Sequence, residues 1–124
     1  MSKADFHNWL IQVIDSEHPD ESIVAYYFGI FEGEKHYTLY LIGSSSYDFE
    51  DNDWANNNND FEPVNKYFVL PNDLNHFSWN EILEEVKKYL TDFVASALYL
   101  NSFFSKAKMI ATGFDEGDLV EILG

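Results

Sequence analysis

Ile23-Val24-Ala25-Tyr26-Tyr27-Phe28-Gly29-Ile30-Phe31 is the stretch that decides the fold. Its apolar residues fall on both alternating faces, and β-branched and aromatic side chains dominate, the pattern of a strand buried on two sides. Glu32-Gly33-Glu34-Lys35 reads as a turn, and His36-Tyr37-Thr38-Leu39-Tyr40-Leu41-Ile42 as the return strand. Together they predict a β-hairpin whose two strands are central in their sheet.

Before the hairpin, Phe6, Trp9, Leu10, Val13 and Ile14 recur at i, i+3, i+4, i+7 and i+8, one apolar stripe of a helix. Ser2 and Asp5 resemble a capping pair at its start; the helix ends near Ser16 and His18-Pro19-Asp20 stops it. After the hairpin, Gly43 to Asn65 forms a connection of 23 residues, and loops beyond about 15 residues in a compact domain are usually functional or disordered. Lys66–Leu70 is a third, short strand ended by Pro71-Asn72-Asp73. Ser78-Trp79-Asn80-Glu81 is a capping box, and Trp79, Ile82, Leu83, Val86, Leu90, Phe93, Val94, Ala97 and Leu98 keep helical spacing behind it. That helix is expected to end between Ala97 and Ser105, with a separate short helix over Leu98–Phe104 as the alternative. Lys108–Phe114 and Asp118–Leu123 flank Asp115-Glu116-Gly117 and predict a second hairpin, preferred over a helix running to a Gly113 cap. The order of elements predicts a single α+β domain spanning 1–124: an antiparallel sheet of four to five strands, with the N-terminal helix and the long helix packed on one face.

Length and composition set the outer limits. A chain of 124 residues buries roughly two-thirds of its unfolded surface, enough for one core, and an aromatic content of 18% supplies large buried areas. Cysteine is absent, which excludes disulfides and thiolate metal sites and suits a reducing cytoplasm. The first residues show no basic region leading into an apolar run, so no signal peptide is read, and no stretch reaches the ~18 apolar residues of a membrane span. Arginine, the usual bidentate ligand for phosphate and carboxylate, is also absent.

The charge is unevenly placed. Residues 1–62 hold thirteen carboxylates against Lys3 and Lys35, a net of −11; residues 63–112 hold five acids and five lysines; the tail adds Asp115, Glu116, Asp118 and Glu121, completing −15. The excess peaks in Tyr47-Asp48-Phe49-Glu50-Asp51-Asn52-Asp53-Trp54 and continues through Asp60 to Glu62, without one lysine. A field of one sign steers oppositely charged partners, while tyrosine and tryptophan are frequent interface hot spots. This combination points to a basic protein partner and disfavours direct contact with nucleic-acid phosphates or an anionic membrane. The candidate docking residues are Tyr47, Asp48, Phe49, Glu50, Asp51, Asp53, Trp54, Asp60 and Glu62, extended by Asp115, Glu116 and Asp118 if the last hairpin lies alongside. Phe49 and Trp54 have a second reading as anchors of the loop to its own core.

Catalytic and metal motifs do not compete with that signal. Asp51, Asp53 and Glu62 resemble part of a calcium loop, but position six is Asn56 rather than glycine and no helix pair flanks it. His7, His18, His36 and His76 lack metal-ligand spacing. Gly43-Ser44-Ser45-Ser46 carries neither a nucleophile elbow nor a phosphate-loop lysine. No cofactor, no metal and no enzymatic activity are therefore expected.

In layout the chain resembles the small, acidic, cysteine-free α+β immunity proteins of bacterial toxin systems. The resemblance rests on the Tyr26-Tyr27-Phe28-Gly29-Ile30-Phe31-Glu32 strand, the acidic Asp51–Trp54 segment and the tail from Gly113 to Val120. It implies a partner that is a toxin domain, often a basic nuclease, blocked at its active site or at an exosite. A nucleic-acid mimic or regulatory adaptor that binds a basic protein shares the same physics, and a small-molecule or calcium-binding domain is the third class. With 22 acids on a small surface, a monomer or a weak dimer is expected.

Overall fold

The computed structural model describes residues 3–33, 36–45, 60–70, 77–114 and 119–123. Helix α1 (Lys3–Ser16) leads into strands β1 (Ala25–Glu32) and β2 (Tyr37–Ser44), followed by the short strand β3 (Tyr67–Val69). Helix α2 (Trp79–Val94), a one-turn helix α3 (Ala97–Leu100) and a 3₁₀ turn (Phe103–Lys106) precede strands β4 (Met109–Phe114) and β5 (Val120–Leu123). The chain is thus an α+β protein with a five-stranded sheet of order β3-β2-β1-β4-β5.

The sheet is mixed, which corrects the expectation of an antiparallel one. β1 pairs antiparallel with β2, β2 with β3 and β4 with β5, but β1 and β4 run parallel, from Ala25 opposite Met109 to Ile30 opposite Phe114. Direction explains it. Two antiparallel steps leave β3 pointing the same way as β1. α2, at 16 residues about 24 Å long, then carries the chain back before β4 begins.

The helices form where caps and apolar spacing agree. Ser78 Oγ accepts from Glu81 N (3.4 Å), and Ser78 N donates to Glu81 Oε1 (3.0 Å), closing the predicted box. α2 ends at Val94, earlier than expected, because serines restart the chain twice. Ser96 Oγ accepts from Tyr99 N to cap α3, and Ser102 Oγ accepts from Phe104 N to cap the 3₁₀ turn. These restarts swing Phe104 into the core, where it meets Tyr26 at 4.9 Å and Phe93 at 5.4 Å between ring centroids.

The two faces of the sheet are filled differently. On one, Tyr26, Phe28 and Ile30 of β1 with Leu39 and Leu41 of β2 pack beneath α1 and α2, against Phe6, Trp9, Leu10, Val13, Ile82, Val86, Leu90 and Phe93. On the other, Ala25, Tyr27, Ile42, Met109 and Ala111 form a smaller cluster, with Tyr40 and Leu119 against it, to which no described helix contributes. There the rings of Tyr27 and Tyr40 meet edge to face at 6.0 Å. Tyr40 lies so close over Gly29 that a Cβ there would sit 2.1 Å from its ring. Tyr27 reaches across to β4, its hydroxyl donating to the Gly113 carbonyl at 3.1 Å.

Candidate docking segment and its base

Most of the candidate docking residues lie outside the described residues: Tyr47, Asp48, Phe49, Glu50, Asp51, Asp53, Trp54, Asp115, Glu116 and Asp118. Asp60 and Glu62 are described, together with Ser45 and the strands on either side of the acidic stretch. What can be built is therefore the base from which that stretch departs and to which it returns.

The base begins at Gly43. Its N–H donates to the Phe61 carbonyl at 2.8 Å, and its carbonyl accepts from Asp60 N (3.0 Å) and Phe61 N (3.2 Å), so residue 61 bridges to the end of β2. Only glycine permits this approach: a Cβ at position 43 would meet Ile23 Cγ2 at 2.9 Å and Phe61 Cβ at 3.1 Å. Phe61 then enters the core, edge to face with Tyr26 (6.1 Å) and Phe103 (6.0 Å).

Beside it, Asp60 Oδ2 accepts from Ser45 N (2.9 Å) and from Ser45 Oγ (2.6 Å). The serine hydroxyl, then the serine N–H, hold the Asp60 carboxyl below the usual carboxylate range, since both bonds favour the ionised form; partial desolvation acts weakly the other way. Residues 45 and 60, which flank 46–59, are thus clamped together by a charge-assisted pair of bonds.

The next five residues are fixed to α1 and to themselves. Glu62 Oε1 lies 2.6 Å from Lys66 Nζ, and that bond is the main reason the lysine ammonium is held above its ordinary pKa, against a smaller desolvation effect. Val64 N donates to Glu17 Oε2 (2.9 Å), Trp9 Nε1 donates to the Asn65 carbonyl (2.9 Å), and Asn65 Nδ2 donates to Gln12 Oε1 (3.0 Å). Asp60 and Glu62 therefore both bond groups of their own chain at the foot of the segment. Sequence reading placed them with the partner-facing acids and had no signal for the Ser45–Asp60 clamp, which depends on β2 and residue 61 being brought side by side. Phe61, a fourth ring of the acidic-aromatic stretch, is an anchor to the core.

Other candidate chemistry leaves few traces. Among the described residues, no three histidines, aspartates or glutamates converge as a metal site. His7 and His36 each bury one ring nitrogen without a hydrogen-bond partner. Among the described residues no helix is long and apolar enough to cross a membrane. Comparison with protein-family models, with curated proteins and with solved structures finds no match.

Proposed function

We propose that this chain is a non-enzymatic acidic binding protein, best read as an immunity protein. It would occupy a basic toxin domain in the cytoplasm through the acidic-aromatic segment 47–62, with Asp115, Glu116 and Asp118 extending the contact. The observation that carries this reading is the charge map: thirteen carboxylates against two lysines in residues 1–62, with no arginine anywhere. The clamped base supports it, because residues 45 and 60 are tied to each other and to β2, so the acids between them are tethered at both ends to a rigid sheet.

The test begins with capture from native cell extract at low ionic strength, elution by rising salt and purification of the basic protein released. Its association rate is then measured against the wild type and against Asp48→Asn, Glu50→Gln, Asp51→Asn, Asp53→Asn combined. Asp60 and Glu62 are left intact because they hold the base. The neutralised variant should associate at least about tenfold more slowly, with a flatter salt dependence, at an unchanged melting temperature. An equal association rate would place the partner on another surface.

A further inference from the structure

The two edges of the sheet are not alike. β5, at one edge, is interrupted by a register shift between Ile110 and Ala111 and carries the exposed charge of Glu121, both devices that discourage pairing with another strand. β3, at the other, has neither a bulge nor an acidic residue. Its ladder fixes which backbone groups face outward. Lys66 accepts from Leu41 N (3.0 Å), Leu70 N donates to the Tyr37 carbonyl (2.9 Å), and Phe68 stands opposite Leu39 between them. Residues 66, 68 and 70 therefore turn their backbone groups toward β2, and Tyr67 and Val69 turn theirs away from the sheet. No hydrogen bond among the described residues takes these groups up.

The side chains on this edge are as open as the backbone. Tyr67 and Val69 are each 54% exposed and project from the same side of the strand. Phe31 stands edge-on to Tyr67 at 6.2 Å, so the edge is backed by an aromatic ledge. Lys66, the cation at the start of the strand, is bonded to Glu62 and lies 5.5 Å from the Tyr67 ring and 5.8 Å from that of Tyr40. Its charge is offset within the chain.

We propose that the outer edge of β3 is a strand-addition site for an extended, lysine- or arginine-bearing segment of a protein. Two outward N–H groups and two outward carbonyls supply a short ladder, and Tyr67 and Val69 receive alternate apolar side chains of the incoming strand. Charge selects the occupant. A second copy would bring another −15 to the same edge, whereas a cationic segment is drawn to a chain whose net charge is −15. This inference rests on the reading that the partner is basic and adds the surface that holds its backbone.

The test uses the full chain and a defined probe, an acetylated and amidated peptide Lys-Val-Lys-Val-Lys-Val, with Glu-Val-Glu-Val-Glu-Val as its counterpart. Amide hydrogen exchange at Tyr67 and Val69 should slow when the lysine peptide is added and stay unchanged with the glutamate peptide. Val69→Pro removes one outward N–H while leaving the bonds of Phe68 and Leu70 to β2, and should weaken binding about tenfold. Tyr67→Ser with Val69→Ser removes the ledge without altering charge or ladder and should weaken it comparably, which keeps the test decisive if the proline variant fails to fold. Wild-type affinity in the folded edge variants, or no added protection at Tyr67 and Val69, overturns the edge site. If the four-carboxylate variant alone loses the peptide, the edge falls while the acidic segment stands. Equal binding of the two peptides would remove the basic-partner reading itself.

Discussion

One face of the sheet is closed by helices and the other by its own side chains, and the two solutions distribute stability differently. Beneath α1 and α2, the large rings of Phe6, Phe28, Phe93 and Phe104 are fully buried, each in contact with at least one other aromatic ring. On the opposite face small residues take the central positions: Ala25 and Gly29 in β1, Ala111 and Gly113 in β4. That floor makes room for Tyr27, whose hydroxyl reaches the Gly113 carbonyl, and for Tyr40, whose ring end and hydroxyl lie over Gly29. A helix-covered face is filled from two layers and has nowhere to relax. A face paved by long side chains of one layer keeps an outlet toward solvent, because Tyr40 and Phe31 are only half-buried.

The largest expected effect tests the jammed face. Phe28→Ala removes a fully buried ring that touches Phe6 (6.5 Å), Trp9 (6.1 Å) and Phe104 (5.9 Å), held by α1, the sheet and the 3₁₀ turn at once. Those neighbours belong to two separate elements, α1 and the 3₁₀ turn, and cannot all move inward, so the cavity persists. The cost should be about 3–5 kcal/mol, read from urea unfolding at unchanged m-value. A cost near 1 kcal/mol would mean this face relaxes as readily as the other.

Gly29→Ala probes the paved face and should cost less, about 1–3 kcal/mol, the range of overpacking. The added methyl collides with the far end of the half-buried Tyr40 side chain rather than with backbone. The check is twofold: an unfolding free energy between wild type and Phe28→Ala, and a Tyr40 ring whose chemical shift moves toward that of exposed tyrosine. If Gly29→Ala were as damaging as Phe28→Ala, Tyr40 would be locked and the contrast between the faces would fail.

How much of this was legible in the residues follows from the same contrast. Doubly apolar β1 announced that both faces are buried, and the spacing of Phe6, Trp9, Leu10, Val13 and Ile14 announced one covering helix; the first four are buried and Ile14 is half-buried against the core. The central placement of β1 and β2, the capping box at Ser78 and the terminal hairpin were equally readable from local signals. The parallel pairing of β1 with β4 is not written in any single strand, although the order of three strands followed by the 16-residue α2 contains it; pairing direction is a property of the whole path. Tyr89 is buried although it lies off the apolar stripe of α2, while Trp79, on that stripe, is 57% exposed at the helix start, edge-on to Phe114. Periodicity gives a face, and only the neighbouring layer decides how far along that face burial extends. The acidic stretch was legible as composition. The division of labour that leaves Asp60 and Glu62 bonded within the chain was not, because it arises from contacts across 15 residues of sequence and from the particular approach of Phe61 to Gly43.

The smallest expected effect lies at the rim of the jammed face, where Phe61 enters the core and Asp60 is tied to Ser45. Bonding to the ionised form lowers the folded-state pKa of Asp60 below its ordinary 3.8. The sign follows directly: the clamp's contribution is fully present above the unfolded value and is lost as pH falls through the lower, folded one. The clamp's contribution should therefore be constant near neutral pH, and its loss should appear only in the acid limb of an unfolding profile. Ser45→Ala deletes the hydroxyl bond, the stronger influence, and leaves the Ser45 N–H bond in place, so the Asp60 carboxyl should rise toward its ordinary value without reaching it. Carboxyl-detected NMR titration measures the shift residue by residue. An unmoved Asp60 in that variant would assign the depression to the backbone bond alone, and the segment's base would then owe its closure to Gly43 and Phe61 rather than to the charged clamp.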